Sequence, residues 1–422
     1  MRLVLSSYGG RGDVEPAVVV GRELLHRGHK VEMVVPPNLV GFAQSAGLPT
    51  SAYGLDSNDI LQLQWRYFTC YGSTPWKLKE LNRMARQTAQ FADECWAGMT
   101  RTLASMTDGA DLLLTGLIFE QPAANVAEAH DVPLVTLHYF PYRVHGQLLP
   151  VLPSTLSRLA MTVNERTAWH GTRKGEDAQR RELGLPKATS PVSRRIAQRG
   201  SLEIQAYEEL VFPGLAAEWG RWNGQRPFVG TLAMAASTDC DDEILSWIGD
   251  GSPPIFFGFG SVPIGAPADT LAMIAASCAQ LGERAIVGAG GTDYSNAGQY
   301  DNVKVVGQVN YAAIFPACRA VVHHGGSGTM AACLRAGVPQ LTLWTLPDQP
   351  FFAAQLKRLK VGASRRFSST TEKSLVKDLA RILTPEYAAR ARELAPRVTN
   401  RADSVAAAAD RIEDFARLRC RT

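Results

Sequence analysis

No apolar run in this chain approaches the ~20 residues that a membrane-spanning helix needs. Cysteine is sparse. The seven are Cys70, Cys95, Cys240, Cys278, Cys318, Cys333 and Cys420, scattered and odd in number, with no C-x-x-C pair. That spacing points away from a disulfide framework or a structural zinc and fits a reducing cytoplasm. No basic tract stands out, and a formal net charge of +4 is small for 422 residues, so a nucleic-acid partner is not indicated. A peripheral contact with an anionic membrane at the inner face of the plasma membrane stays open. The apolar stretch at Met1–Ser6 is too brief for a signal-peptide core and reads as a first strand. There is no Walker G-K-[ST] ending, no correctly spaced G-x-G-x-x-G fingerprint, and no D-x-D carboxylate pair in the motifs described below.

What is present suits two domains of roughly 200 residues each, because the chain is 45% apolar and too long for one ordinary core. Each half carries the same pattern. In the first, Leu3–Ser6 is strand-like, glycines follow, and a helix is expected from about Val14 to Arg27. Lys30–Val35, Asp111–Thr115 and Pro133–Leu137 read as strands, with a helix over Gln121–His130. In the second half, Ile255–Gly260, Arg284–Val287, Val303–Val306, Ala320–His323 and Pro339–Leu343 read as strands, with helices over Asp269–Leu281 and from Gln349. Alternating strands and helices imply parallel sheets covered on both faces. The expected fold is therefore α/β, two Rossmann-like doubly wound parallel-sheet domains facing each other across a cleft. The expected division is 1–211, a linker at 212–228 where Gly, Pro and Trp break the periodicity, 229–395, and a helical tail at 396–422.

The most informative segment is Val321-Val322-His323-His324-Gly325-Gly326-Ser327-Gly328-Thr329. A strand, a glycine turn and a helix start follow one another. The glycines admit a ligand close to the backbone, and the helix N-terminus offers free N–H groups and about half a positive charge. With the His324 ring and the Thr329 hydroxyl, this reads as a holder for a phosphate-bearing ligand, or else as a buried histidine in a structural turn. Ser261, after Gly258-Phe259-Gly260, is a second phosphate donor or part of a plain turn. Asp348-Gln349 offers a carboxylate and an amide for neighbouring sugar hydroxyls, and Asp348 equally suits a helix cap. Asp13, in Gly9-Gly10-Arg11-Gly12-Asp13, is a helix cap or a general base. His138 is a second candidate base or a packed core histidine. The aromatic stretches around Trp65, Tyr67, Phe68, Tyr71 and Trp76, and His138-Tyr139-Phe140-Pro141-Tyr142, read as irregular pocket-lining segments.

Together, GGRGD, GFGS, HHGGSGT and DQPFFAAQ resemble the GT-B glycosyltransferases, within them the inverting group of macrolide, vancomycin-type and sterol glycosyltransferases. The stretches PPNLVGFAQSAGL, EDAQRRELGLP and RGSLEIQAYEELVFPGLAAEWG resemble the mycobacterial glycopeptidolipid glycosyltransferases, which attach rhamnose or 6-deoxytalose to a lipopeptide. The resemblance implies a nucleoside-diphosphate sugar donor, dTDP-linked, as co-substrate, no cofactor, no metal, and an amphipathic lipopeptide acceptor. It implies that His324, Gly325, Gly326, Ser327, Gly328, Thr329 and Ser261 hold the pyrophosphate, that Asp348 and Gln349 hold the sugar, and that Val309 lies near the nucleotide base. Asp13 stands where a catalytic base is proposed in the antibiotic-type enzymes. Gly10, Trp65, Tyr67, His138, Tyr139 and Tyr142 are the expected acceptor contacts. Many relatives carry a histidine where this chain has Tyr8-Gly9-Gly10, and alanine where it has Ser327. A nucleotide-sugar epimerase of the same double fold, or a non-catalytic sugar- or lipid-binding scaffold, are the competing readings.

Overall fold

The computed structural model describes residues 1–73, 76–222, 224–234, 241–260, 264, 266–346 and 348–419. The chain forms two compact units. The first holds Met1–Tyr67, Lys77–Met234 and Asn400–Thr422; the second holds Phe68–Trp76 and Ala235–Thr399.

The first unit is built on β1 (Arg2–Ser6), β2 (Lys30–Val35), β3 (Thr50–Ala52), β4 (Leu112–Gly116), β5 (Leu134–His138) and β6 (Leu202–Gln205). They form one parallel sheet in the order β3-β2-β1-β4-β5-β6. Successive residues of a strand face opposite sides, so each strand feeds two cores. Leu3, Leu5, Leu112 and Leu114 face one layer, which includes helix Arg11–His26. Val4 and Leu113 face the other, with Met99 and Leu103 of helix Leu78–Thr107.

The second unit repeats the plan with β7 (Ile255–Gly258), β8 (Ala285–Gly288), β9 (Val303–Val306), β10 (Ala320–His323), β11 (Gln340–Trp344) and β12 (Gly362–Arg366). Their order is β12-β11-β10-β7-β8-β9, so once again the first strand of the unit pairs with its second and fourth. Ile255, Phe257, Ala320 and Val322 face one core, and Phe256 and Val321 the other. Both sheets therefore have the Rossmann order, with the switch point between β1 and β4 in one and between β7 and β10 in the other. Among the described residues, no helix is long and apolar enough to cross a membrane.

Two expectations about organisation change. Residues 212–228 lie inside the first unit, and the boundary falls at Met234. Three of that segment's large apolar side chains, Phe212, Leu215 and Trp219, are buried in that unit. Phe212 and Leu215 are inaccessible, and Trp219 stacks on Phe228 with ring centroids 6.1 Å apart. The backbone runs beside β6, where the Gln205 N–H donates to the Pro227 carbonyl at 2.8 Å. The tail also belongs to the first unit. Helix Arg401–Arg419 places Ala408, Ala409, Ile412 and Ala416 in the core beneath helix Arg11–His26, and Arg27 donates to Asp410 at 2.6 Å.

Candidate functional site

In open α/β sheets, ligands bind beyond the carboxyl ends of the strands at the switch point. In the second unit, β7 and β10 flank that point, with His323 in register with Gly258. β7 runs into Phe259-Gly260 and β10 into His324-Gly325-Gly326, so the two glycine turns are neighbours. Helix Ser327–Ala336 begins there. Its N-cap is Gly326, which has no side chain to satisfy the first turn, and the Met330 N–H donates to the Gly326 carbonyl at 3.0 Å. The N–H groups of Ser327, Gly328 and Thr329 precede it and point out of the helix end.

The His324 ring stands between the two turns. A β-carbon on Gly260 would lie 2.8 Å from its Cε1, and one on Gly326 would lie 2.6 Å from its Nε2. Gly260 also has φ 78°, a left-handed conformation that glycine adopts without penalty. Burial lowers the His324 pKa, with the Gly258 carbonyl opposing in part, so the ring is neutral near neutral pH. Its Nδ1 is enclosed and has no hydrogen-bond partner among the described residues. A buried polar nitrogen left in that state costs free energy unless a ligand completes it.

His323 fixes the turn from beneath. It is inaccessible, its Nε2 meets Gln340 Oε1 at 3.0 Å, and its Nδ1 accepts from the Gly325 N–H at 3.1 Å. Both contacts require the neutral ring with the proton on Nε2, and burial pushes its pKa down to about 3. Gly325 has φ 103°, and a β-carbon there would lie 2.9 Å from Gln349 Cβ. Gln349, expected to hold the sugar directly, is 3% exposed, and its Oε1 accepts from the Thr345 and Leu346 N–H groups at 2.7 and 2.9 Å. It orders the loop on which Asp348 stands exposed, at the N-cap of helix Gln349–Leu359 and without a side-chain capping bond. Val309 is half-buried just before the short helix Tyr311–Ile314, whose cap is the Asn310 side chain. Ser261 lies outside the described residues.

In the first unit, the turn after β1 positions Asp13. The helix begins at Arg11, three residues before the expected Val14, which makes Asp13 a first-turn residue. Asp13 is thus not the N-cap that the sequence suggested: Gly10 is, and Asp13, the third helical residue, reaches back so that its Oδ2 accepts from the Gly10 N–H at 2.7 Å. The side chain remains partly exposed, so a proton-accepting role is compatible with it. Gly9, at φ 122°, leaves room for this carboxylate, because a β-carbon there would lie 2.4 Å from Oδ2. Tyr8, in the same turn, points inward. Its hydroxyl donates to the Leu55 carbonyl at 2.8 Å, and its ring meets Phe119 edge-on.

The aromatic expectations divide. Trp65 and Tyr67 lie on helix Ser57–Ser73 rather than in an irregular segment; the Trp65 side chain lies outside the described residues. Gly10 is the helix N-cap, Tyr139 is half-buried and Tyr142 is 47% exposed. His138 is wholly internal and lines no open surface. Its Nε2 meets Glu120 Oε2 at 3.1 Å, and its Nδ1 faces Gln205 Nε2 at 3.4 Å. Burial and the nearby Arg143 cation lower its pKa.

His138 belongs to a buried ionic network that the sequence reading missed. Arg143 donates to Glu120 at 2.5 Å and to Glu203, and Arg226 donates to Glu203 at 2.9 Å. Two carboxylates and two guanidiniums balance in charge, and both carboxyls are held below the usual range by the arginines despite burial. The available signal was Glu203 and Gln205 alternating with Leu202 and Ile204 on a single strand. Among the described residues, no group of three or more His, Cys, Asp or Glu is placed to hold a metal ion.

Known proteins resemble this chain in sequence and fold. Residues 276–410 match the family described as the erythromycin biosynthesis protein CIII-like C-terminal domain. The chain is 54% identical to an uncharacterized glycosyltransferase of Mycobacterium tuberculosis, over 99% of both chains. It is 27% identical to the vancomycin aglycone glucosyltransferase of Amycolatopsis orientalis, over 97% of this chain and 96% of that one. The calicheamicin glycosyltransferase CalG4 has the same fold, with a TM-score of 0.73 over 98% of both chains at 17% identity. So does the glycosyltransferase VinC, solved in complex with dTDP, with a TM-score of 0.65 over 100% of both chains at 17% identity. The chain belongs to the GT-B glycosyltransferases of the macrolide- and vancomycin-modifying type, and is a transferase of glycosyl groups.

Proposed function

We propose that the protein transfers a deoxyhexose of the rhamnose or 6-deoxytalose type, with inversion and without a metal ion, from a dTDP-sugar to a hydroxyl of an amphipathic lipopeptide in the cytoplasm. The observation that carries the donor half is the enclosed His324 Nδ1, without a hydrogen-bond partner among the described residues, beside the start of helix Ser327–Ala336, which has no side-chain cap. A diphosphate oxygen would complete both. As the bond to the anomeric carbon breaks, negative charge grows on that diphosphate. The helix N–H groups, the Thr329 hydroxyl and His324 would stabilise it, and these neutral donors and backbone dipoles supply what a divalent cation supplies elsewhere. Asp348 would accept from sugar hydroxyls, and Val309 would border the base. Support for thymidine diphosphate comes from VinC and from the glycosyltransferase SsfS6, both solved with it, and the spinosyn rhamnosyltransferase SpnG shares the fold.

Asp13 is the proposed base. It would take the acceptor proton as the alcohol oxygen attacks opposite the leaving diphosphate, and release from the Gly10 N–H would raise its basicity. The test is incubation with dTDP-rhamnose and a deglycosylated lipopeptide, with and without EDTA. The expected product gains one deoxyhexose of inverted anomeric configuration at an unchanged rate under EDTA. Retained configuration, loss of activity with EDTA, or a sugar altered without acceptor would each overturn the corresponding part.

A further inference from the structure

We propose that one end of the helix pair Leu78–Thr107 and Ser154–Glu182 is a docking surface for an anionic lipid bilayer. The two helices lie side by side. Gln179 Nε2 donates to Thr100 Oγ1 at 3.0 Å, and a β-carbon on Gly175 would lie 3.5 Å from Asp93 Oδ1. Going from Asp93 to Thr100 follows the same direction as going from Gly175 to Gln179, so the helices are parallel and their N-terminal halves extend the same way. At 1.5 Å per residue, helix Leu78–Thr107 extends roughly 22 Å and helix Ser154–Glu182 roughly 32 Å beyond the Asp93–Gly175 level.

The two projecting halves carry complementary chemistry. On helix Ser154–Glu182, Leu156, Leu159 and Val163 recur at i, i+3 and i+7, and are 50%, 60% and 55% exposed. On helix Leu78–Thr107, Lys79, Arg83 and Arg86 recur at i, i+4 and i+7, again on one face. They line a shallow groove with the carboxamides of Asn82, Gln87 and Gln90, and no carboxylate joins them. Among the described residues, no ion pair involves these three cations; the neighbouring Glu80 pairs with Lys77 at 3.6 Å. An exposed aliphatic row beside a row of unpaired cations and amide donors matches both layers of an anionic membrane surface, acyl chains for the leucines and phosphate headgroups for the cations.

The experiment is flotation of the full chain, without donor or acceptor, on vesicles of phosphatidylcholine alone and of phosphatidylcholine with phosphatidylglycerol. Binding is expected only to the anionic vesicles and is expected to weaken with salt. Each cation near such a surface contributes about fivefold, so K79Q/R83Q/R86Q should lower partitioning by roughly 100-fold. L156S/L159S/V163S should reduce binding and make what is left wholly salt-sensitive. All six positions are exposed, and unchanged thermal melting of both variants checks that they fold. Equal binding to neutral vesicles, no binding to either, or loss of self-association rather than of vesicle binding in the serine variant would overturn the proposal.

Discussion

The His324 imidazole occupies the space in which a side chain on Gly260 would stand, with the ring Cε1 2.8 Å from where that β-carbon would be. The two residues are far apart in the chain and meet because β7 and β10 are neighbours in the sheet. The group proposed to hold the donor at one strand end thus depends on the backbone at the other.

Gly260→Ala is therefore expected to push the ring aside and to strain a left-handed backbone at φ 78°. The affinity for dTDP, measured by calorimetry, should fall at least about tenfold, equivalent to ~1.4 kcal/mol. Unchanged affinity would mean that the ring takes no part in holding the diphosphate.

His324→Ala removes the donor itself. Its kcat/KM is expected to fall by about 10²–10³, or ~2.7–4 kcal/mol of transition-state stabilisation, as for other preorganised donors to a developing negative charge. A fall in donor affinity with kcat preserved would instead assign the ring to binding alone.

Asp13→Asn keeps an oxygen able to accept from the Gly10 N–H, so the turn should survive. Donor affinity is expected to stay within about twofold, while turnover falls by about 10²–10⁴, the range for loss of a general base. Near-normal turnover would move the base role to another group or to solvent; the burial of His138 makes it a poor substitute.

His323 makes stability depend on pH. Its folded pKa lies near 3, below the ordinary histidine value, so protonation favours the unfolded chain. The stability it contributes is complete above about pH 6.5 and is lost as pH falls toward 3. Within that window the wild type should lose about 1.4 kcal/mol per pH unit more than His323→Gln in urea unfolding. Parallel slopes for the two proteins would refute the account.

Arg143→Met leaves the Glu120 and Glu203 carboxylates buried beside each other without their shared guanidinium. A loss of about 3–5 kcal/mol in urea unfolding is expected. Less than about 1 kcal/mol would show that Arg226 and His138 compensate.

Much of the fold was legible because strand periodicity is local. Val303–Val306, Ala320–His323 and Lys30–Val35 have the bounds the sequence implied. Thr50–Ala52 and Gly362–Arg366 escaped because both are polar edge strands, half-solvated and short of the apolar signal that marked the others. The helix carrying Trp65 and Tyr67 escaped because clustered aromatics obscured its period.

The strand, glycine turn and helix start at Ala320–Thr329 were legible for a related reason. Glycines, histidines and a hydroxyl between a strand and a helix start constrain local backbone geometry, and that constraint is written in consecutive residues. The roles of His138, Gln349 and residues 212–228 were not, because each depends on what packs against it. His138 proved internal because Glu120 from a helix, Gln205 from a strand and Arg143 from a loop converge on it. Gln349 turned to its own loop because Gly325 packs against its side chain. The sequence alone determined where a glycine turn joins a strand end to a helix start, through short-range propensity and glycine freedom. Tertiary structure decided which polar side chains are open to a ligand and which serve the interior, because burial and partner geometry arise only when distant segments meet.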